Sequence, residues 1–397
     1  MTTHSVALTP LEQYDAEAGP TISLVMPCLN EAEALPWCID QARKALVALG
    51  ETFEIVVGDN GSTDGSVEIA LKRGVKLVRA ERRGYGCAYH AAIAAARGRW
   101  IVMVDSDGSY DFGDIPALIG LLREGNDLAM GSRLKGDIEP GAMPWLHRYV
   151  GNPVLSGFLR QLYRTSVSDT QCGFRAFTRE AYDRMHLRCP GMEYASEMVI
   201  NAGKAGLAID EVPIRYHPRK GQSKLQSFSD GWRHLRYMLM FSPTHLYLLP
   251  GASLVAIGLV MLLALLGGPL QVGGHAYDYH FMILASMLAI LGYQIISLGL
   301  FAKAYFRVHG PFRGDPLIRG FLAHFTLERG LKVAGVLFVL GVAANSFVLV
   351  KWVATNFGSL DEVRMAVMGL TLTVLGVQTA FSAFLLSFLQ NALPVED

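Results

Sequence analysis

Four apolar runs, at about 245–268, 280–304, 331–353 and 365–390, are each long enough to cross a hydrocarbon core, which takes roughly 20 helical residues. Charge is distributed to match. Of the 35 Lys and Arg and the 35 Asp and Glu, 27 and 28 precede residue 244, leaving 8 and 7 after it. The chain therefore reads as a flexible leader at 1–20, a soluble domain at 21–243 and an all-α membrane domain of four helices at 244–397. A formal net charge of zero opposes a nucleic-acid partner, which would demand a basic surface. An apolar fraction of 51% excludes a disordered or collagen-like chain.

Loop charges orient the bundle. The segment between the first two runs, GPLQVGGHAYDYH, has no Lys or Arg, whereas the next connection carries Lys303, Arg307, Arg313, Arg319, Arg329 and Lys332. Under the positive-inside rule that second connection is cytoplasmic, and with Arg233 and Arg236 ahead of the first run, so are the soluble domain and both termini. The first twenty residues lack a basic start followed by an apolar run, so no signal peptide is expected. Five cysteines without C-x-x-C spacing read as reduced thiols. Gln294, Asn345 and Gln378 are expected to hydrogen-bond inside the bundle, and the absence of mid-span Asp or Glu opposes a proton-coupled transporter.

The soluble half alternates two kinds of segment. ISLVMP (22–27), EIVVGD (54–59), VKLVRA (75–80), WIVMVD (100–105) and DLAMGS (127–132) are short apolar runs separated by helical patterns, which predicts an α/β domain around a mostly parallel sheet. Ligands of such sheets bind at the carboxyl ends of strands, where Asn30, Glu31, Asp59, Asn60, Asp105, Asp107 and Arg133 fall. R-G-Y-G-C-A at 83–88 starts like a dinucleotide fingerprint but lacks its third glycine.

Asp105 and Asp107, in VMVDSDGSYD, share one face at a strand end, where two carboxylates repel unless a cation sits between them. Mg²⁺ or Mn²⁺ completed by diphosphate oxygens suits that geometry. Asp59 and Asn60 suit either hydrogen bonds to a nucleoside or an Asn-Gly turn, and Asp64 suits a helix N-cap. Trp145, Tyr149, Leu155, Phe158, Leu159 and Leu162 mark an amphipathic helix that also carries Arg148, Arg160 and Arg164, suited to the headgroup level of a bilayer or to an ordinary core face. HPRKGQSKL at 217–225 gathers Arg219, Lys220, Ser223 and Lys224 about Gly221, a loop able to close on a leaving diphosphate or to attract anionic lipid.

Together the segments VMPCLNE, GDNGSTDGS, VDSDGSYD, GSR followed by a second arginine, DTQCGFR at 169–175 and RKGQSKL resemble, in order, the family 2 glycosyltransferases of GT-A fold. Within that family the likeness is to the dolichol-phosphate or polyprenyl-phosphate sugar synthases, and it covers about residues 20–240. It implies a donor site of Pro27, Asn30, Glu31, Asp59, Asn60, Asp105, Ser106, Arg219, Ser223 and Lys224, with the metal on Asp105 and Asp107. It further implies Asp107, Arg133 and Arg148 as catalytic, the two arginines on the acceptor phosphate. Asp169, Cys172, Gly173, Arg175, Glu193 and Glu197 would shape the acceptor or sugar side. Asn60 replaces the usual second Asp, and no glutamine follows D-x-D at the position that mannose-type synthases often use, so mannose is not implied. Arg233 follows Trp232, the reverse of the order in the Q-x-x-R-W of processive synthases.

The resemblance thus implies inverting transfer of a hexose from a nucleoside diphosphate sugar to polyprenyl or dolichyl phosphate. The oligomeric state stays open, a homo-oligomer included. The competing readings are a processive polysaccharide synthase and a non-catalytic anchoring or transport protein with a nucleotide-sugar domain.

Overall fold

A computed structural model of the chain describes residues 19–163, 165–221, 227–309, 320 and 326–391, in two compact units that divide between Met238 and Leu239. Almost all of the expected leader, together with Arg164, Ser223, Lys224, Arg313 and Arg319, lies outside the described residues.

In the first unit all five expected strands form: β1 (Ile22–Cys28), β2 (Phe53–Asp59), β3 (Lys76–Arg79), β4 (Trp100–Met103) and β5 (Leu128–Ile138). Two more join them, β6 (Arg175–Thr178) and β7 (Ile209–Tyr216), giving the sheet order β3-β2-β1-β4-β6-β5-β7. β6 runs antiparallel to both β4 and β5, while every other pair is parallel. β5 continues to Ile138, so Arg133 lies inside a strand and not beyond its end.

Both faces of the sheet are covered, because successive strand residues point to opposite sides. Leu24 and Met26 of β1 and Val102 of β4 pack with Leu35 and Ile39 of α1 (Leu35–Leu49) and Leu118 and Ile119 of α4 (Ile115–Arg123). Val25, Ile101 and Met103 pack on the other face with Tyr89 and Ile93 of α3 (Tyr85–Ala95) and Met198 and Val199 of α7 (Tyr194–Lys204). Among the described residues this part of the chain also holds α2 (Ser66–Lys72), α5 (Asn152–Tyr163), which a π-helical turn at His147–Gly151 precedes, α6 (Arg179–Met185) and α8 (Ser227–Met240).

α5 turns a different face inward from the whole set named above. Leu155, Leu159 and Leu162 join the core, whereas Trp145, Tyr149 and Phe158 stay exposed, at 69%, 60% and 42%.

The second unit consists of α9 (Leu249–Leu266), a small hairpin of β8 (Leu270–Val272) and β9 (His275–Tyr277), α10 (Tyr279–His309), α11 (Leu327–Ala354) and α12 (Val363–Asn391). Thr244–Leu266, Tyr279–Tyr305, Leu327–Ala354 and Val363–Leu389 are long and apolar enough to cross a membrane. Small residues let these helices meet closely, as expected where lipid offers no hydrophobic drive for association. A Cβ on Gly258 would stand 2.6 Å from Ala289 N, and one on Gly376 would stand 2.7 Å from Phe338 N. Ser286 and Thr371 hydroxyls join α10 to α12 at 2.7 Å. Asn345 bonds back to Gly341 O of its own helix at 3.1 Å, and Gln378 Oε1 is buried with no hydrogen-bond partner among the described residues.

Close approach also governs the first unit. A Cβ on Gly58 of β2 would fall 2.3 Å from Ala88 O of α3. Gly58→Ala should therefore push α3 off the sheet and cost about 1–3 kcal/mol, read as a lower thermal midpoint of the detergent-solubilised chain; an unchanged midpoint would refute this packing.

Candidate active site

The strand ends converge on Asp105, two residues past β4. Tyr85 Oη and Tyr89 Oη both donate to its Oδ1, at 2.8 and 3.1 Å. Gly173 crowds the other oxygen: a Cβ there would stand 2.6 Å from Asp105 Oδ2. Burial, and then the neighbouring charge of Asp107, hold the Asp105 carboxyl up at about 6 despite the tyrosine hydrogen bonds. Burial, reinforced by Asp105, likewise pushes both tyrosine hydroxyls well above their usual range, so they stay protonated and donate.

Asp107 is buried too. Its Oδ1 accepts from Ser109 N–H at 2.9 Å and from Ser109 Oγ at 2.5 Å, and its Oδ2 pairs with Arg219. The basic loop is laid over the D-x-D turn by its backbone, since Lys220 N–H donates to Asp107 O and His217 N–H to Ser109 O, each at 2.8 Å. Lys220 then stacks its ammonium 3.8 Å from the Trp37 ring centroid.

The β1 and β2 ends are interlocked. Ser106 Oγ donates to Pro27 O at 2.5 Å. Asp59 accepts from Gly61 N–H and Ser62 N–H, closing the turn, while Asn60 Oδ1 accepts from Gly84 N–H at 2.9 Å and so fixes the start of α3. Asn30 adopts a left-handed φ of 53° and accepts from Thr63 N–H at 2.8 Å; Glu31 N–H donates to Ser66 Oγ at 3.0 Å. Asp64 is not the N-cap of α2, which is Gly65, but bridges Ser66 to Ala32 N–H. Burial would raise its carboxyl, yet these hydrogen bonds bring it below the usual range.

Several of the expected site residues make internal contacts in this structure. Arg133, 7% exposed, forms a fork to Asp169 with Nε–Oδ2 at 2.7 Å and Nη2–Oδ1 at 2.9 Å, and lies over the Tyr216 ring at 5.1 Å. A guanidinium so engaged is not a cation displayed at a strand end. Arg175 is fully buried and donates to the carbonyls of Cys172, Ala195 and Thr170 at 2.8–2.9 Å, tying the 169–175 loop to the start of α7. Cys172 is buried, its thiol pushed up to about 12 chiefly by burial, so it is inert. Glu197 is buried and accepts from Arg188 N–H and Cys189 N–H, while Glu193 lies against Gly191 ahead of α7. Arg148 is half-buried, its guanidinium over the exposed Tyr149 ring at 5.5 Å.

Residues 23–185 match the family described as Glycosyl transferase family 2, and residues 300–390 match the Glycosyltransferase family 2 C-terminal transmembrane region. The low-salt glycan biosynthesis hexosyltransferase Agl6 of Haloferax volcanii is 40% identical over 378 residues, spanning 94% of this chain and 90% of that protein. The chain belongs to glycosyltransferase family 2. A dolichyl-phosphate hexose transferase of the same organism is 32% identical over 211 residues, covering 53% of this chain and 89% of that protein. A crystal structure of glucosyl-3-phosphoglycerate synthase from Mycobacterium tuberculosis, with Mn²⁺, uridine diphosphate and glucosyl-3-phosphoglycerate, is 27% identical, covers 61% of this chain and 86% of that one, and has a TM-score of 0.46.

The family 2 glycosyltransferase is thus an integral membrane protein with a GT-A domain followed by four apolar helices. Sequence reasoning missed Tyr85, Tyr89 and Ser109 around the D-x-D turn. The available signal was the four-residue spacing of the two tyrosines, which sets them on one face of a helix.

Asp105 also links stability to pH. With the folded value near 6 and the ordinary one at 3.8, the folded form holds its proton more tightly, so ionised Asp105 costs stability above about pH 6 and the cost vanishes toward pH 4. Asp105→Asn should raise the melting temperature of the metal-free glycosyltransferase at pH 7 and leave it nearly unchanged at pH 4, whereas a gap independent of pH would contradict the buried charge.

Proposed function

We propose that this glycosyltransferase moves a hexose from a nucleoside diphosphate sugar to polyprenyl or dolichyl phosphate, inverting the anomeric carbon, with its catalytic unit and both termini in the cytoplasm. The observation that carries the reading is a buried D-x-D turn closed by Arg219, in a chain that also exposes Trp145, Tyr149 and Phe158 beside Arg148 and has four membrane-crossing helices. An acceptor held in a bilayer needs such an amphipathic approach, since exposed aromatic rings and arginines favour the headgroup layer. The name of the dolichyl-phosphate hexose transferase and the charge asymmetry of the loops support it.

The D-x-D donor set fits a hard divalent cation. Two carboxylates lie close enough for Asp107 to help raise the Asp105 carboxyl to about 6, a cost that a cation relieves. Among the described residues no cluster of three or more His, Cys, Asp or Glu is arranged to hold a metal, so Asp105 and Asp107 would share Mg²⁺ or Mn²⁺ with the diphosphate oxygens. Bound there, the cation would neutralise charge on the leaving nucleoside diphosphate.

The remaining work falls to the chain. An acceptor phosphate is largely ionised near neutral pH and needs no strong base, only alignment and charge neutralisation. Arg148 is the accessible cation for that phosphate, while Arg133, committed to Asp169, shapes the acceptor side from within β5. Arg219 would pass from Asp107 to the diphosphate, with Ser223 and Lys224 of the same loop joining it. Pro27, Asn30, Glu31, Asp59, Asn60 and Ser106 line the nucleoside side. Gly173, close to Asp105, would meet the sugar, with Asp169, Cys172, Arg175, Glu193 and Glu197 shaping that side.

Purified protein incubated with a panel of nucleotide sugars and undecaprenyl or dolichyl phosphate should yield one lipid-linked hexose by mass spectrometry. No product with any donor would overturn the proposal, and a sugar polymer would favour a processive synthase. Asp107→Ala should cut transfer at least about 100-fold, the scale on which charge-stabilising groups act, in a protein that still melts cooperatively; normal turnover would remove Asp107 from the site.

A further inference from the structure

We propose that Tyr85 and Tyr89 are positioning residues that fix one oxygen of Asp105, so that its other oxygen is held ready for the cation that accompanies the donor. This rests on the donor reading above and goes beyond it, because the R-G-Y-G-C-A segment plays no part in that reading. Its glycines serve packing. A Cβ on Gly84 or on Gly86 would fall 2.1 Å from the carbonyl oxygen of Pro190 or Cys189 respectively, and Cys87 N–H donates to Pro190 O at 3.2 Å. α3 is thereby pressed against the 188–190 segment that Glu197 holds, and its tyrosines, one turn apart, both reach Asp105 Oδ1.

The hydroxyls are themselves fixed. Tyr89 is fully buried, meets Tyr85 edge-on with ring centroids 5.0 Å apart, and stacks on Tyr194 of α7 at 5.8 Å. With Oδ1 held by two donors and Oδ2 confined beside Gly173, the carboxylate loses the rotation that a loop aspartate ordinarily keeps. The chemistry of the donors matters as well. A lysine or arginine here would cancel the charge of Asp105 and compete with a divalent cation, whereas two neutral hydroxyls orient the carboxylate and leave its charge in place.

The test is equilibrium binding of UDP and of GDP to the full-length protein and to Tyr85→Phe and Tyr89→Phe, each with Mn²⁺ and with EDTA, with Mn²⁺ occupancy followed by electron paramagnetic resonance. Phe keeps the ring and removes one charge-assisted hydrogen bond, so for the nucleotide that the wild type prefers, the gain in affinity from Mn²⁺ should fall about tenfold in each variant. Affinity in EDTA and the KM for polyprenyl phosphate should stay at wild-type values. A Mn²⁺ gain equal to wild type, or an equal loss with and without metal, would overturn the positioning role and leave the donor reading intact. Wild-type protein that binds neither nucleotide would overturn both.

Discussion

A negative charge buried at the end of β4 is the constraint around which the catalytic unit is arranged. Asp105 has too little water to ionise freely, and Asp107 two residues on adds to the cost. The fold compensates from two directions: two tyrosines of α3 donate to Asp105, and Arg219, from the segment after β7 and paired with Asp107, adds its positive charge. Each lies far from Asp105 in sequence. The sheet order brings them together, with β4 central, α3 packed on the sheet and β6 antiparallel beside β4.

Buried cations build this frame. Arg133 and Asp169 satisfy each other in a fork, and Arg175, with no carboxylate among its hydrogen-bond partners, spends its donors on three carbonyls. A charge taken out of water must find such partners or it destabilises the fold, and these arginines find them in Asp169 and in backbone carbonyls. Their product is the tight 169–175 loop, whose Gly173 lies against Asp105. Arg148, by contrast, lies on an exposed aromatic segment and donates to Ile138 O at 3.4 Å, and Arg219 pairs with Asp107 at the D-x-D turn.

Five strands and four helices of the catalytic unit were legible from the alternation of short apolar, β-branched runs with helical patterns, even in β3, whose residues are exposed or half-buried, and the spans were legible by length alone. β6 was not, since it is four residues long and opens with Arg175. β7 was not, since IDEVPIRY mixes charged residues with a proline, a composition tolerated because it pairs only at the edge of the sheet. The extent of β5 was missed for a related reason: its far half, RLKGDI, is half polar and looks like a loop until β7 pairs with it.

The sequence by itself determined the two-part organisation, the α/β class, the four spans and the family, because these follow from the period of apolar residues and from short motifs with fixed spacing. Tertiary structure alone decided how the members of those motifs are engaged. Arginines 133, 148, 175 and 219 look alike in a string of letters. Only packing shows that Arg133 is paired with Asp169, Arg175 is buried on three backbone carbonyls, Arg148 stands half-buried over an exposed aromatic ring, and Arg219 rests on Asp107. The same holds for the tyrosines at 85 and 89, whose hydroxyls acquire a purpose only when α3 folds back over the strand that ends at Asp105.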